Sequence, residues 1–260
     1  HTFTHSPAEA GLPGLEYHAG THINPNVVWW PMARPFIDYL SRCSYMLQQG
    51  LFVADACYYY GDKAPNFVPS KNIKFCPGPG YDYDVINSDG ILNRMTVKNR
   101  RLVLPDGMSY ALLVLPEQAD MDIEVLRKLE SLIKAGATVV GPKPSRTGTL
   151  EEYPRRDAQV AMLADKIWGN CNGKDIKEHA YGKGRVVWNR SVAEILAAAG
   201  IGQDFSYRGP DGRARLDYLH RRAKDADIYF VSNMEERWED VECVFRVKGK
   251  QPELWHPETG

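Results

Sequence analysis

The chain has 260 residues, of which 43% are hydrophobic and 25% are charged, and its formal net charge is −1. This composition is typical of a globular protein with one large domain or two modest ones. The near-neutral charge balance gives no support for nucleic-acid binding, and no apolar run approaches the ~20 residues of a membrane-spanning helix.

The ends and the cysteines of the chain give further expectations. The start, HTFTHSPAEAG, lacks Met, a charged region and an apolar core, so we expect no signal peptide and either a processed chain or a piece of a longer one. The five cysteines are widely spaced and form no CxxC pair. The sequence therefore predicts no zinc cage, no disulfide framework and no cofactor.

The first 31 residues are rich in Gly, Pro, His and Asn, which predicts a long irregular segment. A run of this kind is uncommon in a compact domain unless it is functional. His18 and His22 have the spacing of a helical zinc pair, but Gly20 and Pro25 oppose a helix and no third ligand follows at a defined spacing. Histidines that bond substrate or backbone are therefore preferred to a metal site.

Carbohydrate recognition also fits this segment, because sugars are held by aromatic faces and by planar polar or carboxylate side chains. The segment offers several such groups, namely His5, Tyr17, His18, His22, Asn24, Asn26, Trp29 and Trp30. Glycoside hydrolysis needs two carboxylates, and the segment contains only Glu9 and the more central Glu16. A second interpretation stays open, in which Trp29 and Trp30 merely pack the following helix against a neighbouring domain.

The rest of the chain alternates predicted helices and strands. Apolar residues spaced by four, three and four predict a helix over 33–49 that ends at Gly50. The elements that follow are a strand over 51–61, a strand entering a helix over 81–92, two strands within 101–116, a helix over 121–136, a strand over 137–144, a helix over 154–169, a strand over 184–189 and a capped helix over 191–200. This alternation predicts an α/β fold with a doubly wound parallel sheet. After about residue 205 only strands and polar turns are predicted, as at the start of a β-sandwich.

Two further kinds of chemistry find little support. The stretches CPGPGYD (76–82) and YGKGRVV (181–187) lack the Walker and GxGxxG spacings, so turns are preferred to nucleotide binding. No GxSxG or GxCxG elbow is present, and Cys57 ends a strand without flanking glycines. An amidotransferase-type triad is therefore expected to be absent, and a hydrolase acting through Cys57 stays as an alternative.

Several motifs together resemble one known family. They are HTFTHSP, YHAGTHINPNVVWW, LQQGLFVAD, PGYDYDVIN, AGATVVGPKP, GKGRV and KQPELWHPETG, and they follow one another along the whole chain. In these motifs the sequence resembles the α-L-rhamnosidases of glycoside hydrolase family 106.

The resemblance implies a domain arrangement. Residues 1–50 would be the end of a (β/α)₈ catalytic barrel, with its active-site loop and closing helix. Residues 51–205 would be a flavodoxin-like domain, similar to class I amidotransferase domains without their activity. Residues 206–260 would begin a truncated β-sandwich.

The resemblance also implies a reaction and a site. Such enzymes cleave terminal α-L-rhamnose with inversion, and the two carboxylates are expected upstream of this chain. Active sites of such barrels lie at the carboxyl ends of the strands. The residues expected to contact the sugar are His1, His5, His22, Asn24 and Trp30, with Glu16 as the one carboxylate candidate.

The partner expected from the resemblance is a rhamnoside, in a periplasmic or secreted enzyme, without nucleic acid, membrane or metal. The alternative is a non-catalytic structural or oligomerisation domain of a glycosidase. In that case the apolar stripe of the helix over 33–49 would contact a partner, including a second copy of the chain. The sequence leaves open the natural glycan, the oligomeric state and calcium binding.

Overall fold

The computed structural model describes residues 2–3, 8–11, 21–71 and 73–260. The chain divides into two compact units, the first formed by His1–Gln49 with Gly249–Gly260 and the second by Gly50–Lys248. Residues 206–248 thus group with the α/β part of the chain, and the expected domain boundary near residue 205 stays a prediction. None of the helices in the described ranges has both the length and the apolarity to span a bilayer.

The described residues form strands β1 (Thr2–Phe3), β2 (Thr21–His22), β3 (Leu51–Phe52), β4 (Ala56–Tyr59), β5 (Tyr83–Ile86), β6 (Thr96–Lys98), β7 (Arg101–Val103), β8 (Ser109–Tyr110), β9 (Leu112–Val114), β10 (Thr138–Val140), β11 (Glu178–Tyr181), β12 (Gly184–Val187), β13 (Phe205–Arg208), β14 (Leu216–Arg222), β15 (Asp227–Asn233) and β16 (Glu242–Phe245). The α-helices are α1 (Ala33–Leu47), α2 (Ile123–Ala135), α3 (Arg155–Trp168) and α4 (Val192–Ala198). Short helical turns cover Ala8–Ala10, Trp30–Met32 and Gly90–Arg94, the last of them π-helical. Four of the five predicted helices are α1 to α4, with ends within two residues of those predicted, whereas the helix predicted within 81–92 is the π-helical turn Gly90–Arg94.

In the first unit, β1 and β2 pair in parallel, with Phe3 opposite His22. The tail 249–260 contacts α1, because Arg42 Nη1 donates hydrogen bonds to the carbonyl oxygens of Pro257 at 2.8 Å and Glu258 at 3.0 Å. The predicted apolar stripe of α1 stays largely uncovered within the described part of this unit, where Phe36 is 45% exposed.

The second unit is built on a six-stranded sheet with the order β11-β12-β10-β9-β4-β5. Five of these strands are parallel, and only β11 pairs antiparallel, at one edge. When the five parallel strands are numbered by their order in the chain, their order across the sheet from the β5 edge is second, first, third, fourth and fifth. Strands β6, β7 and β8 form a small separate sheet, so the chain is a mixed α/β protein with several sheets.

The main sheet separates two apolar cores. Successive side chains of a strand point to opposite faces, so Cys57 and Tyr59 join one core and Ala56 and Tyr58 join the other. Helices α2 and α3 cover the first face, and α4 covers the second. Both faces of the parallel strands are therefore buried, as expected for strands of this kind.

The prediction of a single strand over 51–61 is wrong, because this segment serves two sheets. Its start, β3, pairs antiparallel with β14, and its end, β4, lies in the main sheet. Between them Val53 N donates to His220 O at 3.0 Å and Asp55 N donates to Asp82 O at 3.1 Å. A continuous apolar run indicates burial, but it does not show that the chain changes partner strands within it.

Candidate functional site

The predicted sugar-binding residues lie partly outside the described part of the chain. His1, His5 and Glu16 are not among the described residues, and His22 is described only through its backbone in β2. Strands β1 and β2 are parallel, and Phe3 at the end of β1 pairs with His22 at the end of β2. The carboxyl ends of the two strands therefore lie side by side.

Asn24 follows β2 and shapes the turn after it. Its side chain is only 5% exposed, and Asn24 Oδ1 accepts a hydrogen bond from Asn26 N at 2.9 Å. Asn24 O accepts another from Val27 N at 3.3 Å. This is the Asx-type turn that asparagine favours. Within the described residues no acceptor bonds Asn24 Nδ2, so this amide can donate to a ligand.

The two tryptophans pack differently. The ring of Trp29 meets that of Phe36 on α1 edge to face, with the centroids 6.1 Å apart. Trp30 begins the short helical turn before α1 and lies 6.4 Å from Trp29, centroid to centroid. Both rings are half-buried, and the contact of Trp29 with α1 is compatible with a packing role, which stays a prediction.

The glycine-rich stretches are turns, as the sequence analysis preferred. YGKGRVV contains the two-residue hairpin connection between β11 and β12, with Tyr181 opposite Gly184. In CPGPGYD, Gly80 O accepts hydrogen bonds from Asp204 N at 2.7 Å and from Tyr218 Oη at 3.2 Å. Both stretches are thus engaged in contacts within the domain.

A nucleophilic role for Cys57 is opposed by its surroundings. The thiol is fully buried in the core of the main sheet. Burial, with a smaller contribution from the Asp84 carboxylate, raises the pKa of Cys57 far above its ordinary value. Reactive cysteines need the opposite environment, which is electropositive and partly exposed. Among the described residues, no group of three or more His, Cys, Asp or Glu side chains is arranged to hold a metal ion.

Sequence reasoning missed a buried charge cluster centred on His220, which is fully buried. His220 Nδ1 lies 2.9 Å from Asp204 Oδ2, and Nε2 lies 2.8 Å from Asp227 Oδ1. Each ring nitrogen thus lies within hydrogen-bonding distance of a carboxylate oxygen. Arg246 bridges Asp204 and Asp55, with Nε–Oδ1 and Nη2–Oδ2 distances of 3.2 and 3.1 Å.

Two further groups complete this buried charge cluster. Arg222 Nε donates to Asp227 Oδ1 at 3.0 Å, and Tyr229 Oη donates to Asp204 Oδ1 at 3.0 Å. Three carboxyl groups, those of Asp55, Asp204 and Asp227, thus face two guanidinium groups and the His220 imidazole. The members lie far apart in the sequence, and the only local signal was a histidine at an inward-facing position of a predicted strand.

A second polar cluster lies around Lys71, which bridges three acceptors. Lys71 Nζ donates to Asp82 Oδ2 at 3.0 Å, Asp217 Oδ1 at 2.9 Å and Tyr218 O at 2.6 Å. Asp82 is 3% exposed, and its burial raises its pKa to about 6, although Lys71 opposes this shift. A carboxyl group of this kind in a cleft marks a candidate binding region.

The raised pKa of Asp82 predicts a pH dependence of stability. The folded state holds the Asp82 proton more tightly than the unfolded state, where the pKa is about 3.9. The contribution of this proton is therefore full below about pH 4 and is lost as the pH rises through about 6. From pH 4.5 to 7 we expect the unfolding free energy of the wild type to fall by about 2 kcal/mol relative to that of Asp82→Asn.

Urea unfolding at the two pH values measures this difference. The matched control is Asp175→Asn, which changes an exposed carboxylate and should follow the wild type. Parallel pH profiles for the wild type and Asp82→Asn would show that the Asp82 carboxyl titrates normally.

Comparison with known proteins places the chain in a family. A family model described as alpha-L-rhamnosidase, glycoside hydrolase family 106, matches residues 1–260. A Formosa agariphila protein named "Putative beta-glucuronidase" is 37% identical over 265 residues, covering 100% of this chain and 21% of that protein. The solved structure of a rhamnosidase from Novosphingobium sp. PP1Y matches with a TM-score of 0.83 and 33% identity, covering 100% of this chain and 24% of that one. The chain thus spans less than a quarter of the length of either relative, and it belongs to the α-L-rhamnosidase family of glycoside hydrolases.

Proposed function

We propose that the intact protein cleaves terminal α-L-rhamnose from glycans or glycosides with inversion, by two carboxylates that this chain does not contribute. Membership of the α-L-rhamnosidase family supports the substrate class, as does the likeness to a solved rhamnosidase. The share of those relatives that the chain covers supports a contribution of catalytic groups from elsewhere in the protein. We also propose a periplasmic or secreted location, because enzymes of this family act outside the cytoplasm.

We also propose the domain arrangement implied by the resemblance. Residues 1–50 would end a catalytic barrel, 51–205 would form a flavodoxin-like domain and 206–260 would begin a β-sandwich. The order of the five parallel strands (second, first, third, fourth, fifth) supports the flavodoxin-like part, because it is the order of that doubly wound fold. Helices on both faces of the sheet support it as well.

One observation carries the assignment of the sugar-contacting residues, namely the parallel pairing of β1 with β2. In a barrel the site lies beyond the carboxyl ends of parallel strands. Asn24 follows β2 by two residues, and in the sequence His5 follows β1 by two residues. We propose that His1, His5, His22, Asn24 and Trp30 line the rhamnose pocket at this edge.

Asn24→Asp tests this role in the full-length enzyme. Aspartate keeps the Oδ1 acceptor for Asn26 N and replaces only the Nδ2 donor, so the turn is preserved. We expect kcat/KM for 4-nitrophenyl α-L-rhamnoside to fall by about 10- to 100-fold, because a donor to a substrate hydroxyl is lost. The matched control is Asn93→Asp, which changes an exposed asparagine of the second unit. Unchanged kcat/KM for Asn24→Asp would contradict a substrate contact.

The purified 260-residue chain tests the placement of the carboxylates. We expect it to fold and to leave 4-nitrophenyl α-L-rhamnoside intact. Activity of this chain that disappears in Glu16→Gln would instead make Glu16 one of the two carboxylates.

The alternative, an interaction module of a glycosidase, is favoured by one observation. The apolar stripe of α1 is largely uncovered in the described residues, with Phe36 45% and Leu40 37% exposed. Under this alternative the stripe would bury itself against a second copy, so size-exclusion chromatography should show a dimer that Phe36→Glu dissociates.

A further inference from the structure

A cavity of about 440 Å³ lies within the second unit, and none of the residues assigned to the rhamnose pocket is among those that line it. Its walls include the apolar side chains of Phe52, Leu219 and Phe230, and its polar groups come from Lys71, Asp217 and Ser232. This size and this mixture of apolar walls with a few convergent polar groups are typical of small-molecule sites. No role in the proposed reaction accounts for it.

The antiparallel pairing of β14 with β15 places the key side chains on one face. Asp217 lies opposite Ser232, and the next pair on the same face is Leu219 with Phe230. Side chains of directly opposed residues are neighbours, and residues two apart along a strand share a face. A polar pair therefore lies beside an apolar pair, which suits a ligand that has one polar and one apolar side.

The hydrogen bonds leave only some of these polar groups available. Lys71 uses all three of its donors, on Asp82, Asp217 and the Tyr218 carbonyl. Asp217 uses Oδ1 for Lys71 and for Tyr218 N, while within the described residues nothing bonds Asp217 Oδ2 or Ser232 Oγ. The cavity thus offers a ligand one carboxylate acceptor and one hydroxyl, but no free cation.

The charges decide the chemical class of the ligand. The two carboxylates of Asp82 and Asp217 outweigh the single ammonium of Lys71, which disfavours an anion, and Lys71 already bonds one oxygen of each carboxylate, which lowers their attraction for a second cation. A neutral molecule whose hydroxyls donate to a carboxylate, and whose other side is apolar, satisfies every group. A 6-deoxyhexose has both features, since its methyl group and ring hydrogens form an apolar side.

We propose that this cavity is a second, non-catalytic binding site for a rhamnose unit of the glycan. The hydroxyls of the sugar contact Asp217 and Ser232, and its apolar side packs on Phe230. The choice of sugar rests on the proposed function, whereas the neutral polyol class rests on the cavity itself.

Isothermal titration of the purified 260-residue chain with methyl α-L-rhamnoside tests the proposal. We expect saturable binding that Phe230→Ala weakens by about tenfold and Ser232→Ala by about threefold, because stacking and one hydrogen bond are lost. Phe67→Ala is the matched control, since Phe67 is 74% exposed and does not line the cavity. D-glucuronate, which is anionic, should not bind. Thermal unfolding of each variant confirms that it folds.

Binding that survives in Asn24→Asp but falls in Ser232→Ala assigns the sugar to the cavity. Absence of binding to the folded chain would overturn the proposal, as would binding that neither Phe230→Ala nor Ser232→Ala weakens. The proposed function is tested separately by hydrolysis with the full-length enzyme. A hydrolytically inactive full-length enzyme whose cavity still binds the rhamnoside would therefore reject the proposed function alone.

Discussion

Replacing His220 by alanine is expected to lower the free energy of unfolding by about 3–5 kcal/mol, the largest effect of any substitution considered for this chain. The imidazole ring lies between two carboxylates, Asp204 and Asp227, and has no exposed surface. Its loss removes a hydrogen-bond partner from each of these two buried carboxylates. Breaking a buried ion pair costs much more than the pair contributes, because the remaining charge loses its partner without regaining water.

Packing adds to this electrostatic cost. The His220 ring stacks on that of Tyr229, with the centroids 3.9 Å apart and the planes at 17°. Alanine would open a cavity beside Tyr229, whose hydroxyl also serves Asp204. We therefore expect His220→Ala to unfold at a lower urea concentration than the wild type. The backbone amide hydrogens between β14 and β15 should also exchange faster with solvent.

His256→Ala is the matched control, because His256 is exposed. It should change the unfolding free energy by no more than about 0.5 kcal/mol. A loss below about 1 kcal/mol for His220→Ala would mean that water replaces the imidazole easily.

Gly184→Ala is expected to lower the unfolding free energy by about 3 kcal/mol. A Cβ at this position would lie inside van der Waals contact with two backbone oxygens, Ile133 O in the last turn of α2 and Ala137 O just after it. The two residues that flank Gly184 in the β11–β12 hairpin are both hydrogen-bonded to this backbone. Lys183 N donates to Lys134 O, and Arg185 N donates to Ala137 O. Backbone atoms held in this way cannot move aside as a flexible side chain would, so the overpacking forces the strand away.

Gly202→Ala is the control for Gly184→Ala, because a Cβ at Gly202 meets nothing within 4 Å. Its unfolding free energy should match that of the wild type within about 0.5 kcal/mol. Equal stability of Gly184→Ala and Gly202→Ala would show that the hairpin does not approach α2 closely. The GKGRV motif, which helped to suggest the family, is explained in this way by packing.

The sequence predicted what depends on local pattern. The apolar spacing of Ile123, Leu126, Leu129 and Ile133 predicted α2, and Ser191 with Glu194 predicted the capping box at the start of α4, which the structure confirms. These features depend on residues three or four apart in the chain, so the local sequence contains all the interacting groups.

Features that depend on distant partners were not predictable in the same way. The switch of residues 51–61 from β14 to the main sheet requires a strand about 170 residues later in the chain. The buried charge cluster joins Asp55 to Arg246, and the cavity joins Lys71 to Asp217, so neither has a local signature. In the N-terminal segment, the types of side chain suggested a sugar site, while the pairing of β1 with β2 gave the edge on which Asn24 lies.

The contact of Arg42 with Pro257 spans 215 residues of chain, and it closes a loop that contains the whole second unit. For a flexible chain, closing a loop of this length costs about 5 kcal/mol of conformational entropy. Two partly exposed hydrogen bonds, at about 1 kcal/mol each, cannot offset that cost. We therefore expect residues 249–260 to dock on α1 only after Gly50–Lys248 has folded, because folding of that segment removes most of the flexible chain between the two contacts. A fluorescent probe at Trp255 should therefore report the folding of Gly50–Lys248, although Trp255 lies in the other unit.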